Sequence, residues 1–393
     1  MKEEYDFYYA VNYPIIKKRY LRTYAEIDLN AALHNIKEIR HRVGDSVKIM
    51  AVIKADGYGH GAVEYGKLYD DYVDYFGVAT IDEGIELREA GLNKPILILG
   101  YTSPKQYADI AKYNIEPTIY TVDAALKLSD TAVKYDKTIK FHIAVDTGMT
   151  RIGFQVCDES IDAVEQISKL PGIRINGMFT HFACADEYDK TYTMRQMELY
   201  DSFYERLEEK GIDIPIKHVC NSAGIMEFDH HRFDMVRAGI VIYGLYPSEE
   251  VDKTSLDLRP VMSLKSHVVN VFTARPGVGV SYGATFTTGE ATRIATVSIG
   301  YADGYPRALS NKGRVLIKGH SVPIVGRVCM DQMMVDITGY DDIEVEDIVI
   351  LVGRDGNEFI SVEEVSALAG SFNYEFVCDL SKRVPRVYVK NTN

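Results

Sequence analysis

A (β/α)8 barrel followed by a separate, mostly antiparallel β domain is the fold class this sequence predicts. Three observations predict it. The chain has 393 residues, too many for one ordinary hydrophobic core, so about two domains are expected. From about residue 25 to residue 245 short apolar runs alternate with helical patterns. After Leu258 the texture changes to closely spaced β-branched runs divided by glycine turns.

Residues 1–20, rich in tyrosine and lysine, read as an N-terminal extension. The span 21–257 is assigned to the barrel and 258–393 to the β domain. Asn30 is the expected N-cap of a first helix, whose Leu33, Ile36, Ile39 and Val43 fall near helical spacing. Candidate strands follow at 47–54, 74–80, 95–100, 116–121, 139–146, 173–182, 216–221 and 234–240. Eight β-α units over about 220 residues is the length a (β/α)8 barrel takes. A doubly wound open sheet competes, but no GxGxxG follows the first strand. In the second half Ser266–Phe272, Arg293–Ile299, Arg314–Ile317 and Asp347–Val352 read as strands, and only 361–370 reads clearly as a helix.

Composition narrows the function. Hydrophobic residues at 46% and charged residues at 26% describe a soluble globular protein. A formal charge of −13 argues against nucleic acid or an anionic membrane as main partner. An anionic ligand therefore needs a local cationic site. The five cysteines are widely spaced without a CxxC pair, which suits neither a disulfide framework nor a structural zinc site and fits a reducing cytosol. Glu3, Glu4 and Asp6 stand where a signal peptide would be basic, and no stretch approaches the roughly 20 apolar residues of a membrane span. A cytoplasmic location, with no metal, is expected.

The segment Ala51-Val-Ile-Lys-Ala-Asp-Gly-Tyr-Gly-His-Gly61 carries the most chemistry. A β-branched run ends on Lys54, and a partly desolvated lysine is a nucleophile for Schiff-base formation. Barrel chemistry sits at the C-terminal ends of strands. Those ends carry Lys54, Arg151, His181, Asn221 with Ser222, and Arg237 with Gly239. Loops after strands seven and eight commonly hold phosphate, and here they offer the Ser222 hydroxyl and the backbone N–H groups of Gly239 and Ile240. A Schiff-base lysine facing a phosphate cradle points to pyridoxal phosphate. Arg237 is a donor only, so a pyridine nitrogen beside it stays unprotonated and the ring stores less carbanion charge. That favours brief proton exchange at Cα.

The second half supplies Val280-Ser-Tyr-Gly-Ala284, Ser298-Ile-Gly-Tyr-Ala-Asp-Gly-Tyr-Pro-Arg307 and Gly326-Arg-Val-Cys-Met-Asp-Gln332. Together with the lysine segment these resemble the alanine racemases, pyridoxal-phosphate enzymes built as a (β/α)8 barrel with a C-terminal β domain. The likeness runs from about residue 20 to residue 390. It implies that Lys54 carries the cofactor and is one of two bases. The other base would be Tyr282, supplied across a homodimer with shared active sites. Tyr58, Ser222, Gly239, Ile240 and Tyr374 would hold the phosphate, and Arg237 would face the ring nitrogen, steadied by His181. Arg151 and the Met330 backbone would meet the substrate carboxylate, with Tyr301 and Asp331 at the entrance. The implied reaction interconverts L- and D-alanine and supplies D-alanine for peptidoglycan.

One position departs from the family pattern. Many members carry a carbamylated lysine two residues before the Asp-Thr-Gly segment, where this chain has Ala144. Three rivals remain: a serine or serine/alanine racemase, a decarboxylase of the same architecture, and a non-catalytic pyridoxal-phosphate carrier. Arg237 argues against the decarboxylase, which needs an acidic partner on the ring nitrogen. The whole second half argues against the carrier, which lacks it.

Overall fold

A computed structural model describes residues 22–228 and 233–390. The expected N-terminal extension lies outside the described residues. The chain divides into two compact units, one of residues 32–57 and 62–259 and the other of the residues up to Ala31, Tyr58–Gly61 and those from Pro260 onward.

The first unit is the barrel. Its eight strands are Lys48–Val52, Tyr75–Val78, Ile96–Ile98, Thr118–Ile119, Ile139–Asp146, Ile173–Phe179, Ile216–His218 and Met235–Ala238, each within one of the eight predicted runs. They pair in parallel four and four, and the short strand Phe154–Gln155 adds a fifth strand to the second sheet. Two seams join the sheets. Leu97 bridges to Glu116 on one side. On the other, Asp234 N–H donates to Lys217 O at 3.0 Å and Arg237 N–H to Cys220 O at 2.9 Å. The strands are nearly continuous in burial, as parallel strands covered on both faces must be. Several end sooner than the apolar runs suggest. Residues 54, 180–182 and 221 lie past the last ladder bonds, and those departures carry the polar side chains.

The helices between strands start on short polar caps. Thr80 and Glu83 form a capping box on Ile81–Glu89, and Thr121 accepts from Ala124 N–H at the start of Val122–Lys134. The first helix, Leu29–Val43, begins two residues earlier than Asn30 as cap would allow. Asp28 is the acceptor instead: its Oδ1 takes the N–H of Asn30 at 2.8 Å and of Ala31 at 3.0 Å. A carboxylate on the preceding strand reaches both orphan donors, so Asn30 falls inside the helix.

The second unit is built on a nine-stranded sheet. Met262–Ala274 is its longest strand and pairs antiparallel with Thr23–Asp28, Thr292–Val297 and Ile348–Asp355. Every ladder in this sheet is antiparallel except that between Thr23–Asp28 and Arg386–Val389. The strand Thr23–Asp28 corrects the sequence-based division, which placed it in the barrel span 21–257. It lies opposite Ser266 to Met262 and so belongs to this sheet. A short half-buried strand reads alike in either setting, and only the long-range pairing decides. The unit also has a second helix, Asn373–Asp379, beside the expected one at Val362–Ala369. Seven residues containing phenylalanine, valine and cysteine show no helical signal of their own.

The short piece Tyr58–Gly61 is clamped within this unit. Arg386 is buried and its Nε donates to Gly59 O at 2.6 Å, while the Tyr388 hydroxyl donates to His60 O at 2.9 Å. Gly59 has φ +74°, and a Cβ there would stand 2.0 Å from Val377 O, a backbone atom that cannot swing aside. Gly59→Ala is therefore expected to cost several °C in melting temperature, on the scale of roughly 1–3 kcal/mol for overpacking and more with the φ strain. A thermal melt within about 1 °C of the parent would contradict this close approach.

Candidate active site

The barrel brings several of the predicted residues together. Lys54 is half-buried and opens a turn of unusual handedness. Ala55, Asp56, Gly57 and Tyr58 have φ of 52°, 51°, 61° and 50°, so three residues with side chains lie in the left-handed region. Such a run costs about 1–2 kcal/mol per non-glycine residue and needs outside support. Glu83 gives it. One carboxylate oxygen accepts Ala55 N–H at 2.7 Å and the other accepts Ala79 N–H at 2.6 Å, tying the ends of strands one and two. Asp56 in turn accepts Ala62 N–H at 2.9 Å, starting the helix Ala62–Tyr69.

His181 feels the charge of several cationic side chains. Arg237 is buried and its Nη2 donates to His181 Nδ1 at 3.2 Å. Burial first, then the charges of Arg237, Arg151 and Lys54, hold the His181 imidazole well below its ordinary pKa. His181 is therefore neutral near pH 7. Arg237 is itself pushed down to about 10, chiefly by burial, and stays charged at neutral pH. The charges of three cations thus act on one imidazole in a chain of net charge −13, which is the local cationic environment an anionic ligand needs.

Two residues after Arg237, Gly239 donates its N–H to Ser222 Oγ at 3.0 Å. The Ser222 hydroxyl proton then has no acceptor among the described residues and is available to a ligand. Asn221 caps the turn by accepting Gly224 N–H at 2.9 Å. Ile240 opens the buried 3-10 turn Ile240–Tyr243.

Arg151 is exposed on a loop anchored by Asp146, whose carboxylate accepts Thr150 N–H at 2.9 Å, Gly148 N–H at 3.0 Å and the Gln155 amide at 3.0 Å. Burial acts to raise the Asp146 pKa, but these donors more than offset it and hold it below the carboxylate range. Ala144 is buried in strand five opposite Phe179, and its methyl group offers no hydrogen-bond acceptor. No carboxylate forms an ion pair with Arg151 among the described residues.

The second unit gathers the other predicted residues into two groups. The rings of Tyr58 and Tyr374 lie 6.0 Å apart. Burial, with Cys378 nearby, raises the Tyr58 pKa well above the ordinary value, so the phenol keeps its proton. The other group lines an open cavity of about 700 Å³ with Tyr282, Met330 and Asp331. Ser281, at φ +62°, seats Tyr282 by donating from its hydroxyl to Arg327 O at 2.6 Å. Tyr301 N–H donates to Cys329 O and Ala302 N–H to Met330 O, both at 3.0 Å, so the 300–303 turn rests on the 329–331 turn. Beneath it the fully buried Asp303 pairs with Arg22 and with Arg383, which also reaches Asp331 at 2.5 Å. Sequence reasoning did not find Asp303 or Arg383. The alternation of Asp303 with glycines in a turn reads as solvent-facing until its two arginines are in place.

This pattern has known counterparts. Two family models match, one described as alanine racemase, N-terminal domain, over residues 27–247, and one as alanine racemase, C-terminal domain, over residues 261–388. The chain belongs to the alanine racemase family. Alanine racemase 1 of Clostridium acetobutylicum is 45% identical over 375 residues, 95% of this chain and 97% of that one. The solved alanine racemase of Clostridium difficile 630 superposes with a TM-score of 0.91 at 46% identity, covering 95% of this chain and 97% of that one. That of Bartonella henselae, described as carrying covalently bound pyridoxal phosphate, gives 0.83 at 28% identity over 94% of this chain and 100% of that one. Membership in the alanine racemase family accounts for both units. Among the described residues no helix is long and apolar enough to cross a membrane.

Proposed function

We propose that this chain interconverts L- and D-alanine with pyridoxal phosphate held through Lys54. The observation that carries the reading is that Arg237, two residues before the Gly239 that is tied to Ser222, contacts His181, on which the charges of Lys54 and Arg151 also act. The donor set fits that cofactor: an amine for an aldehyde, a free hydroxyl proton for a phosphate, and an arginine for a ring nitrogen. Tyr58 and Tyr374 add phenolic donors for the phosphate, together with the backbone of Gly239 and Ile240.

When bound, the cofactor supplies an electron sink next to the substrate Cα. Arg237 tempers that sink, because a donor-only guanidinium cannot receive the ring nitrogen's proton. Lys54 Nζ moves a proton to or from Cα on one face. Tyr282 of the partner subunit does so on the other, so the centre inverts and the two roles exchange for the reverse direction. Arg151 and the Met330 N–H orient the substrate carboxylate, with Tyr301 and Asp331 controlling entry. The dimer, the cytoplasmic setting and a role in supplying D-alanine for peptidoglycan belong to this same reading.

The test is incubation of the purified protein with L-alanine, and separately L-serine, in D2O, followed by chiral analysis. Formation of Cα-deuterated D-alanine is expected. Exchange with serine but not alanine would move the substrate to the serine racemases, and no exchange with either would overturn the reading.

Ala144 yields a separate prediction. A carbamylated lysine would give Arg151 a charge-assisted hydrogen bond worth roughly 1.5–3 kcal/mol, and alanine offers no acceptor. Activity is expected to be unchanged by bicarbonate after an acid treatment that strips carbamates. Recovery of activity on adding bicarbonate would show that a modified lysine from elsewhere serves Arg151.

A further inference from the structure

The barrel interior carries a polar chain of which the proposed reaction uses only the last member, Arg237. Glu116 precedes strand four, His142 lies in strand five, His218 ends strand seven and Arg237 lies in strand eight. All four are buried, at 6%, 0%, 0% and 3% exposure. Barrel interiors are ordinarily filled by branched apolar side chains, so a buried row of this kind needs a use. The links are short. Glu116 Oε2 lies 3.0 Å from His142 Nε2, His142 Nδ1 lies 2.8 Å from His218 Nε2, and His218 Nδ1 lies 3.1 Å from Arg237 Nη1.

The two ends force the direction of every bond between them. Arginine only donates and an ionised carboxylate only accepts. Arg237 therefore donates to His218 Nδ1, which places the single His218 proton on Nε2. That proton is donated to His142 Nδ1, and the His142 proton sits on Nε2 facing Glu116. A protonated His142 is excluded, because its Nδ1–H would push the His218 proton onto Nδ1, against the arginine. Burial first, then His142 and Arg237, hold the His218 pKa well below its ordinary value, in keeping with a neutral ring. The Asn176 amide also donates to Glu116 Oε2, at 3.0 Å. Space is provided for as well. A Cβ on Gly177 would stand 2.4 Å from the His142 ring.

The same geometry spends nearly all of Arg237. Nη1 donates to His218 Nδ1 and to His218 O at 2.8 Å, and Nη2 to Thr180 O at 2.8 Å, Val219 O at 3.0 Å and His181 Nδ1 at 3.2 Å. Only Nε–H is left without an acceptor among the described residues. We propose that Glu116, His142 and His218 are positioning residues of the racemase site, a buried relay that supplies the counter-charge of Arg237 and leaves its Nε–H to face the cofactor ring. The proposal rests on the reading that Arg237 meets the ring nitrogen. A relay acting on the cofactor and not on the substrate carboxylate alters kcat and leaves KM alone.

The test joins spectroscopy to kinetics. Protein labelled with 15N-histidine is examined at pH 7 by long-range 15N–1H correlation, where His142 and His218 are each expected neutral with the proton on Nε2. In Glu116→Gln the His142 Nε2–H resonance is expected to move upfield, as a charge-assisted hydrogen bond becomes a neutral one. The holoenzyme of that variant, and of His142→Phe, is expected to keep its cofactor absorption while kcat falls roughly tenfold to a hundredfold, the worth of a hydrogen bond to a charged group, and KM for alanine holds within about twofold. An Nδ1–H tautomer on either ring overturns the relay, as do variants with parental kcat or a loss confined to KM. The parental spectrum decides the relay even where a variant fails to fold. A parent with the expected tautomers that binds no pyridoxal phosphate overturns the functional reading and with it the role of Nε–H. The tautomers tell that outcome apart from a broken relay.

Discussion

Lys54→Ala is expected to give a colourless protein without measurable racemase activity. Two losses coincide at that one side chain. The amine that would attach the cofactor is gone, and so is a proton-transfer group worth roughly 10²–10⁴ in rate. The fold should survive. Lys54 is half-buried at the mouth of the barrel, and the left-handed turn after it is held through the Ala55 N–H and the Asp56 carboxylate, which the substitution leaves in place. The measurements are the visible absorption of the purified parent and variant, a thermal melt of each, and borohydride reduction of the parent followed by peptide mapping. Label on the peptide containing Lys54 is the expected result. Label on any other lysine would remove Lys54 from its role, and so would a variant that stays yellow and active.

How much of this was legible in the residues depended on whether the signal was local. Eight apolar runs named the eight barrel strands because parallel strands buried on both faces are continuous in hydrophobicity. Lys54, Arg151, His181, Ser222 and Arg237 stood out because each stands near or just past the C-terminal end of such a run. The strand Thr23–Asp28 was misplaced because its partners lie some 240 residues away, from Ser266 to Met262. Glu83 was missed because a glutamate at the third position of a helix already has a reason to be there, as half of a capping box. Its second task, holding Ala55, appears only when strands one and two are side by side. The relay was missed for a related reason, although a signal existed. His142 stands between Phe141 and Ile143 in the buried run 141–145, where a polar side chain without a partner costs several kcal/mol. Such a residue announces a partner without naming it.

The second large effect concerns Tyr282, and it tests whether the active site needs two chains. Tyr282 is 67% exposed and Met330 52%, on one open cavity of the second unit. Large apolar side chains gathered in this way mark a surface that another molecule covers. In the proposed reaction that molecule is a second copy of the chain, and Tyr282 of one subunit serves Lys54 of the other. Tyr282→Phe removes only the hydroxyl, and the turn remains anchored through Ser281. Its homodimer is expected to lose roughly 10²–10⁴ in racemisation rate, as the loss of a general acid–base group does. The Lys54→Ala homodimer is expected to be inactive as well. Equal amounts of the two, mixed under conditions that exchange subunits, behave differently. Random reassortment makes half the dimers mixed, and a symmetric pair then contains one site bearing both substitutions and one bearing neither. About a quarter of the parental activity should therefore return, as the product of one half and one half. The recovery should appear at the rate of subunit exchange, followed independently by mass-tagged chains. Exchange without recovery would place Lys54 and Tyr282 of a working site in the same chain.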